Sequence, residues 1–109
     1  MISRRFLPKL KKPRPWLVRR VVGESMAPTL HPGTIIVAVV SRAASVGDVV
    51  VFSHRGAEKI KRVQKIQNGK VFVVGDNPVQ STDSRDFGWL EIGTVTHRLV
   101  WPRVSHRKY

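Results

Sequence analysis

Two groups in this chain could act together on a carbonyl: the hydroxyl of Ser25 and the amine of Lys61. Ser25 lies in Gly23-Glu24-Ser25-Met26-Ala27-Pro28-Thr29-Leu30, followed at once by a bulky apolar residue and then a proline turn. Proline fixes its own φ and pushes the residue before it away from helix, so the segment reads as a rigid turn or extended corner. Gly23, two residues before the serine, can take backbone angles closed to other residues. A hydroxyl on such a corner is placed as a nucleophile needs to be, but it requires a base. A free lysine amine has a pKa of about 10.4 and is protonated at neutral pH. Burial among apolar groups penalises the charged form, and a neutral amine can then take the serine proton. Taken singly, Ser25 is an ordinary turn serine and Lys61 an ordinary solvated lysine. Only the pair has chemistry.

The candidate base sits in Glu58-Lys59-Ile60-Lys61-Arg62-Val63. If that segment is extended, Lys59, Lys61 and Val63 share one face and Ile60 and Arg62 the other. Alternation does not say which lysine points inward, so Lys59 is the second candidate. A third stretch, Gly75-Asp76-Asn77-Pro78-Val79-Gln80-Ser81-Thr82-Asp83-Ser84-Arg85-Asp86-Phe87-Gly88, is dense in side chains able to form fixed hydrogen bonds. On composition it is a long polar surface loop. Asp83 and Arg85 are spaced for a bidentate pair, and Ser81 or Ser84 for orienting a lysine amine, the third-group role of a catalytic triad. A Ser25, His54 and Asp83 triad is the weaker alternative, because nothing holds those three at a defined spacing.

The elements that must position these groups read as short strands. Residues 16–22 form a first strand leading into the serine turn. Residues 34–40 are β-branched and nearly all apolar, the pattern of a strand buried on both faces. Residues 49–53 form a third strand and residues 58–67 a fourth, where alternating charge outweighs a helical alternative. Asn68-Gly69 marks a hairpin, and residues 71–74 return. Residues 89–102 give one or two more strands with a turn near residues 91–93. There is no convincing helix. The expected fold is mainly β, a compact antiparallel sheet. Residues 1–16 read as a flexible basic arm, 17–102 as a single domain, and 103–109 as a basic, mobile tail.

Composition narrows the classes. The 109 residues suit one small domain, and the absence of cysteine excludes disulfides and thiolate metal sites. Scattered His31, His54, His97 and His106 read as surface histidines, so neither metal nor cofactor is expected. Trp16, Trp89 and Trp101 read as core or interface anchors. The longest apolar run, residues 35–40, is far short of the roughly 20 residues of a spanning helix. Prolines and charges interrupt the N-terminal region, which lacks the apolar core of a secretory signal. A cytoplasmic or peripherally membrane-associated protein is expected. The formal net charge is +13, with eight basic residues and no acid in the first twenty positions. All seven acids lie between Glu24 and Glu91. Charge of this kind steers a chain toward anionic partners, and peripheral contact of the basic ends with an anionic membrane is expected more than nucleic-acid binding.

Four motifs, in order, carry a resemblance. They are Gly23-x-Ser25-Met26-x-Pro28-Thr29-Leu30, Gly47-Asp48-Val49-Val50-Val51-Phe52, Lys61-Arg62-Val63, and Gly75-Asp76-Asn77-x-x-x-Ser81-x-Asp83-Ser84-Arg85-x-Phe87-Gly88. Over residues 21–102 the chain resembles the catalytic core of the type I signal peptidase family, Ser/Lys proteases with a half-barrel β core. Self-cleaving repressors of the LexA type share the serine and lysine pieces but lack the last box. The resemblance implies Ser25 as nucleophile, Lys61 as general base, Ser81 as the hydroxyl orienting the amine, Asp83 and Arg85 as a structural ion pair, and Ser84 in support. It implies the Ser25 N–H as one oxyanion donor, Gly23 where some relatives carry a second donor, and Met26 lining the site. It also implies a protein precursor bearing an N-terminal leader as substrate, with small residues before the cut bond. The chain departs from most of the family in showing neither a membrane anchor nor the extra β domain. Small members that it resembles include the maturation proteases of nickel-containing superoxide dismutase. A LexA-like self-cleaving domain and a basic binding module on the same scaffold are the alternatives.

Overall fold

Valine and isoleucine recur along the chain, and the stretches they dominate become strands because branched side chains pack well on a pleated surface. The computed structural model describes residues 15–41 and 43–106. Among the described residues seven strands are formed: β1 (Trp16–Arg20), β2 (Ile35–Val40), β3 (Val49–His54), β4 (Ala57–Gln67), β5 (Lys70–Val74), β6 (Leu90–Glu91) and β7 (Val95–Trp101). They make one antiparallel sheet in the order β1-β2-β7-β3-β4-β5-β6. The expected strands are all present, within a few residues at their ends. Two hairpins turn on residue pairs with positive φ, Arg55-Gly56 at 51° and 78° and Asn68-Gly69 at 52° and 73°. Left-handed pairs of this kind match the twist of the strands they join.

Burial corrects the expectation for residues 34–40. In β2 only Ile36 and Ala38 are buried, and Ile35 and Val40 are each 39% exposed. The strand buried on both faces is β3, whose Val49, Val50, Val51 and Phe52 are all buried. Val49 and Val51 join a cluster with Leu17, Met26, Leu30 and Ile36, while Val50 and Phe52 join another with Val63, Val71, Val73 and Val95. An apolar run shows that a strand is sticky. Its place in the sheet decides how many faces are covered.

Three further expectations change. The segment read as loop contains a one-turn helix, α1 (Ser84–Phe87), closed by a capping box between Asp83 and Asp86. One turn is too short to show a periodic pattern. The residues at the start of the tail are attached: Val104 packs on the first cluster, and the Ser105 carbonyl accepts from Arg62 Nη1 at 2.7 Å. The tryptophans are not core, since Trp16 is 62% and Trp101 57% exposed. The expected arm at residues 1–16 falls largely outside the described residues.

The sheet is strongly curled. Arg19 on the edge strand β1 donates from Nε to Glu58 Oε1 on β4 at 2.7 Å. Three strands separate β1 from β4. In a flat sheet four spacings of about 4.8 Å would hold them roughly 19 Å apart, beyond the reach of one arginine and one glutamate. Right-handed twist, with register shifts in the β2–β7 and β3–β7 pairings, brings the edge round. The half-barrel expected from the resemblance is therefore present, and the seam between β1 and β4 is its mouth.

Candidate active site

The serine corner is built by local bonds and pinned by two apolar side chains. Ala27 N–H donates to the Glu24 carbonyl at 3.1 Å and Leu30 N–H to the Met26 carbonyl at 2.8 Å. Gly23 takes φ +80°, as its position before the corner requires. Met26 and Leu30 are fully buried in the first cluster and anchor the turn to the core. Ser25, between exposed Glu24 and buried Met26, is left half-buried. Met26 is therefore an anchor and does not line the cleft beside Ser25.

Ser25 and Lys61 line the same cleft, of about 380 Å³, in the mouth of the half-barrel. One wall is residues 19–22 at the end of β1; the other is residues 58–61 of β4. Residues 57–61 pair with β3 on one side only, because pairing with β5 begins at Arg62. That free strand edge faces the cleft mouth. The two lysines differ in burial: Lys61 is 5% exposed, whereas Lys59 is only half-buried. Burial pushes the Lys61 amine below the ordinary lysine value, the nearby Lys59 charge adds to this, and Asp83 opposes it without cancelling it.

Behind the amine lies the network built by the residues after β5. Asp83 is fully buried and accepts from Arg85 Nε at 2.9 Å, Gly75 N–H at 2.8 Å and Ser81 Oγ at 2.6 Å, and pairs with Arg85 Nη2 as well. Burial alone would raise its carboxyl. The bonds from Arg85, Ser81 and the Gly75 backbone outweigh burial and hold it well below the usual carboxylate range. The expected Asp83–Arg85 pair is thus formed. Ser81 gives its proton to Asp83, which leaves its lone pairs available as acceptors. Ser84 accepts from the Val73 N–H at 2.9 Å and ties α1 to β5. His54 stacks on Phe87, with ring centroids 4.2 Å apart, and lines a different cleft, so Ser25, His54 and Asp83 do not form a triad. Among the other histidines, His97 is buried in β7 rather than on the surface.

Five contributors had no expected role. Arg62 is fully buried and donates to Asp76 from Nε at 2.9 Å and Nη2 at 2.7 Å, with Nη1 on the Gly47 carbonyl at 2.8 Å. Thr29 Oγ1 donates to the same carboxylate, linking the serine turn to it. Asn77 donates its N–H to the Ser25 carbonyl at 2.9 Å and its side-chain amide to the Glu24 carbonyl at 3.1 Å. Gly75 lets these segments close up: a Cβ there would sit 2.5 Å from the Ser25 carbonyl oxygen and 2.6 Å from Ser81 Cβ. The signal was in the motifs themselves, where a charged residue follows Lys61 and another follows Gly75. Gly75→Ala should displace Ser25 and Ser81 together and cost about 1–3 kcal/mol, as overpacking does. Chemical denaturation would give the cost, and an unchanged midpoint would refute the close approach.

The arrangement supplies a hydroxyl, a dehydrated amine and a free strand edge within one mouth. Among the described residues no helix is long and apolar enough to cross a membrane. The family model described as Peptidase S24-like matches residues 2–92. Among curated proteins, none matches the sequence. On that match over most of its length, borne by a curled antiparallel sheet, the chain belongs to the Peptidase S24-like family of signal peptidase/LexA-like serine peptidases.

Proposed function

We propose that the chain is a serine endopeptidase in which Ser25 is the nucleophile and Lys61 the general base, removing an N-terminal leader from a protein precursor. The observation that carries this is the buried amine of Lys61 opening on the same cleft as Ser25. The substrate would lie extended along the free edge of residues 57–61, held by main-chain hydrogen bonds. Ser25 Oγ attacks the scissile carbonyl carbon while its proton passes to Lys61 Nζ. Among the described residues the Ser25 N–H has no hydrogen-bond acceptor, which leaves it to stabilise the developing oxyanion. Lys61 returns the proton to the leaving amine as the C–N bond breaks. It then takes a proton from water, whose oxygen attacks the ester carbon, and gives that proton to Ser25 Oγ as the ester C–O bond breaks and the acid is released. Asp83 and Arg85 stand behind as the fixed ion pair that holds Ser81 toward the amine.

By resemblance, the preferred precursor is that of nickel-containing superoxide dismutase, and mass spectrometry of that precursor incubated with the protein tests it. A single cut behind a small residue supports the proposal, and an intact precursor removes this substrate. The basic ends would add peripheral attraction to an anionic leaflet, at roughly 1 kcal/mol per residue near the surface.

The pH profile follows from the amine. Only neutral Lys61 can accept the proton, so activity rises with pH along a limb lying below the 10.5 of an ordinary lysine. Lys59→Gln removes a positive neighbour, favours the charged amine, and should move that limb to higher pH. A limb that stays in place would show that Lys59 does not act on Lys61.

A further inference from the structure

The active cleft holds positive charge that the chain does not balance. We propose that Arg20 and Lys59 select substrates carrying an acidic side chain within two or three residues of the bond to be cut. The inference rests on the endopeptidase reading and names the substrate class for that site.

All seven acidic side chains of the chain lie among the described residues. Four of them are in ion pairs, Asp76 with Arg62, Asp83 with Arg85, Glu58 with Arg19, and Glu91 with Lys70, and Asp48 is hydrogen-bonded to His106. Asp86 is spent on the cap of α1, and Glu24 does not line the cleft. Glu58 is the one acid lining the cleft, and it is held by Arg19. Arg20 on the β1 wall and Lys59 on the β4 wall are therefore left without an acidic side chain as partner. Both line the cleft in which an extended peptide would run, one from each wall.

Register gives the position. Lys59 lies two residues before Lys61 on β4, about 6.6 Å along the strand at 3.3 Å per residue. A peptide paired with that edge advances at the same rate. A side chain two or three residues from the scissile carbonyl then comes level with Lys59, and Arg20 approaches it from the opposite wall. A carboxylate there would complete two charge-assisted contacts in a partly desolvated groove. The same charges disfavour the chain's own N-terminal region, whose first twenty residues carry eight basic groups and no acid. That points to a separate protein as substrate rather than to cleavage in cis.

The test uses the full chain and quenched peptides of one common sequence, in which a single Asp, Ala or Lys is walked over three positions on each side of the cut. Asp at one of these positions should raise kcat/KM by about tenfold over Ala, with Lys below Ala. Lys59→Glu or Arg20→Glu should reverse the order. Arg103→Glu makes the same change in net charge on an exposed residue outside the cleft and should leave the order unchanged. Equal cleavage of the three peptides, or an Arg103→Glu effect as large as that of Lys59→Glu, overturns the proposal while leaving the peptidase intact. Binding of the same peptides to Ser25→Ala, followed by fluorescence anisotropy, separates the two ideas. Selective binding of the Asp peptide that Lys59→Glu abolishes, with no cleavage by the wild type, would sink the endopeptidase and keep the charge selection. No binding and no cleavage sinks both.

Discussion

Ser25→Ala and Lys61→Met should each lower kcat for leader cleavage by roughly 10⁴–10⁶-fold, as loss of either member of a nucleophile–base unit does. The two losses should not add, because neither group works without the other. Stability separates the variants. Ser25 is half-buried and its turn is held by Met26, Leu30 and Asn77, so removing one oxygen leaves the fold unchanged. Lys61→Met deletes an amine that burial disfavours in its charged form. The unfolded chain protonates that lysine freely at neutral pH, so the wild type gives up stability there, and the penalty shrinks as pH rises toward the lysine's unfolded value. An unbranched apolar side chain of similar length should recover about 0.5–2 kcal/mol, most clearly at neutral pH and below. A dead enzyme that melts later is the expected signature, read by cleavage assays and thermal unfolding side by side. Cleavage retained in both variants would end the Ser/Lys proposal.

The second large effect is on stability. Asp76→Ala should cost about 3–5 kcal/mol, because it strands the fully buried guanidinium of Arg62 without its carboxylate. For a domain of this size each kcal/mol is worth roughly 4–8 °C at the midpoint, so the variant should be largely unfolded at moderate temperature. The bonds of Arg62 to the Gly47 and Ser105 carbonyls keep its charge buried rather than letting it swing to solvent. Thr29 loses its acceptor at the same time. Arg62→Met combined with Asp76→Leu should recover most of the loss, since a buried pair replaced whole by apolar groups is often neutral or better. Were Asp76→Ala to melt within a degree or two of the wild type, the pair would not be the strut that Arg62, Asp76 and Thr29 make it.

Much of the fold follows from rules that act over a few residues. Asn68-Gly69 announces its hairpin because asparagine and glycine tolerate positive φ, and Gly23 and Pro28 shape the serine corner for equally local reasons. Alternation put Lys59 and Lys61 on one face, and the spacing of Asp83 and Arg85 allowed the pair that the structure forms. Which lysine is buried, however, depends on which segments from elsewhere in the chain lie against β4, among them the one carrying Asp83 and Arg85. Met26 shows the same division. The family resemblance implies a cleft residue, and packing makes it the anchor under the turn.

From residue types and spacing alone come the strands, the turns and the short list of reactive groups, because sterics and periodicity are properties of neighbouring residues. Tertiary structure alone decided that β3 rather than β2 is covered on both faces, that Arg62 and Asp76 neutralise each other in the core, and that the buried Lys61 shares a cleft with Ser25. Those outcomes depend on which distant segments exclude solvent from a group, and no local pattern encodes that exclusion.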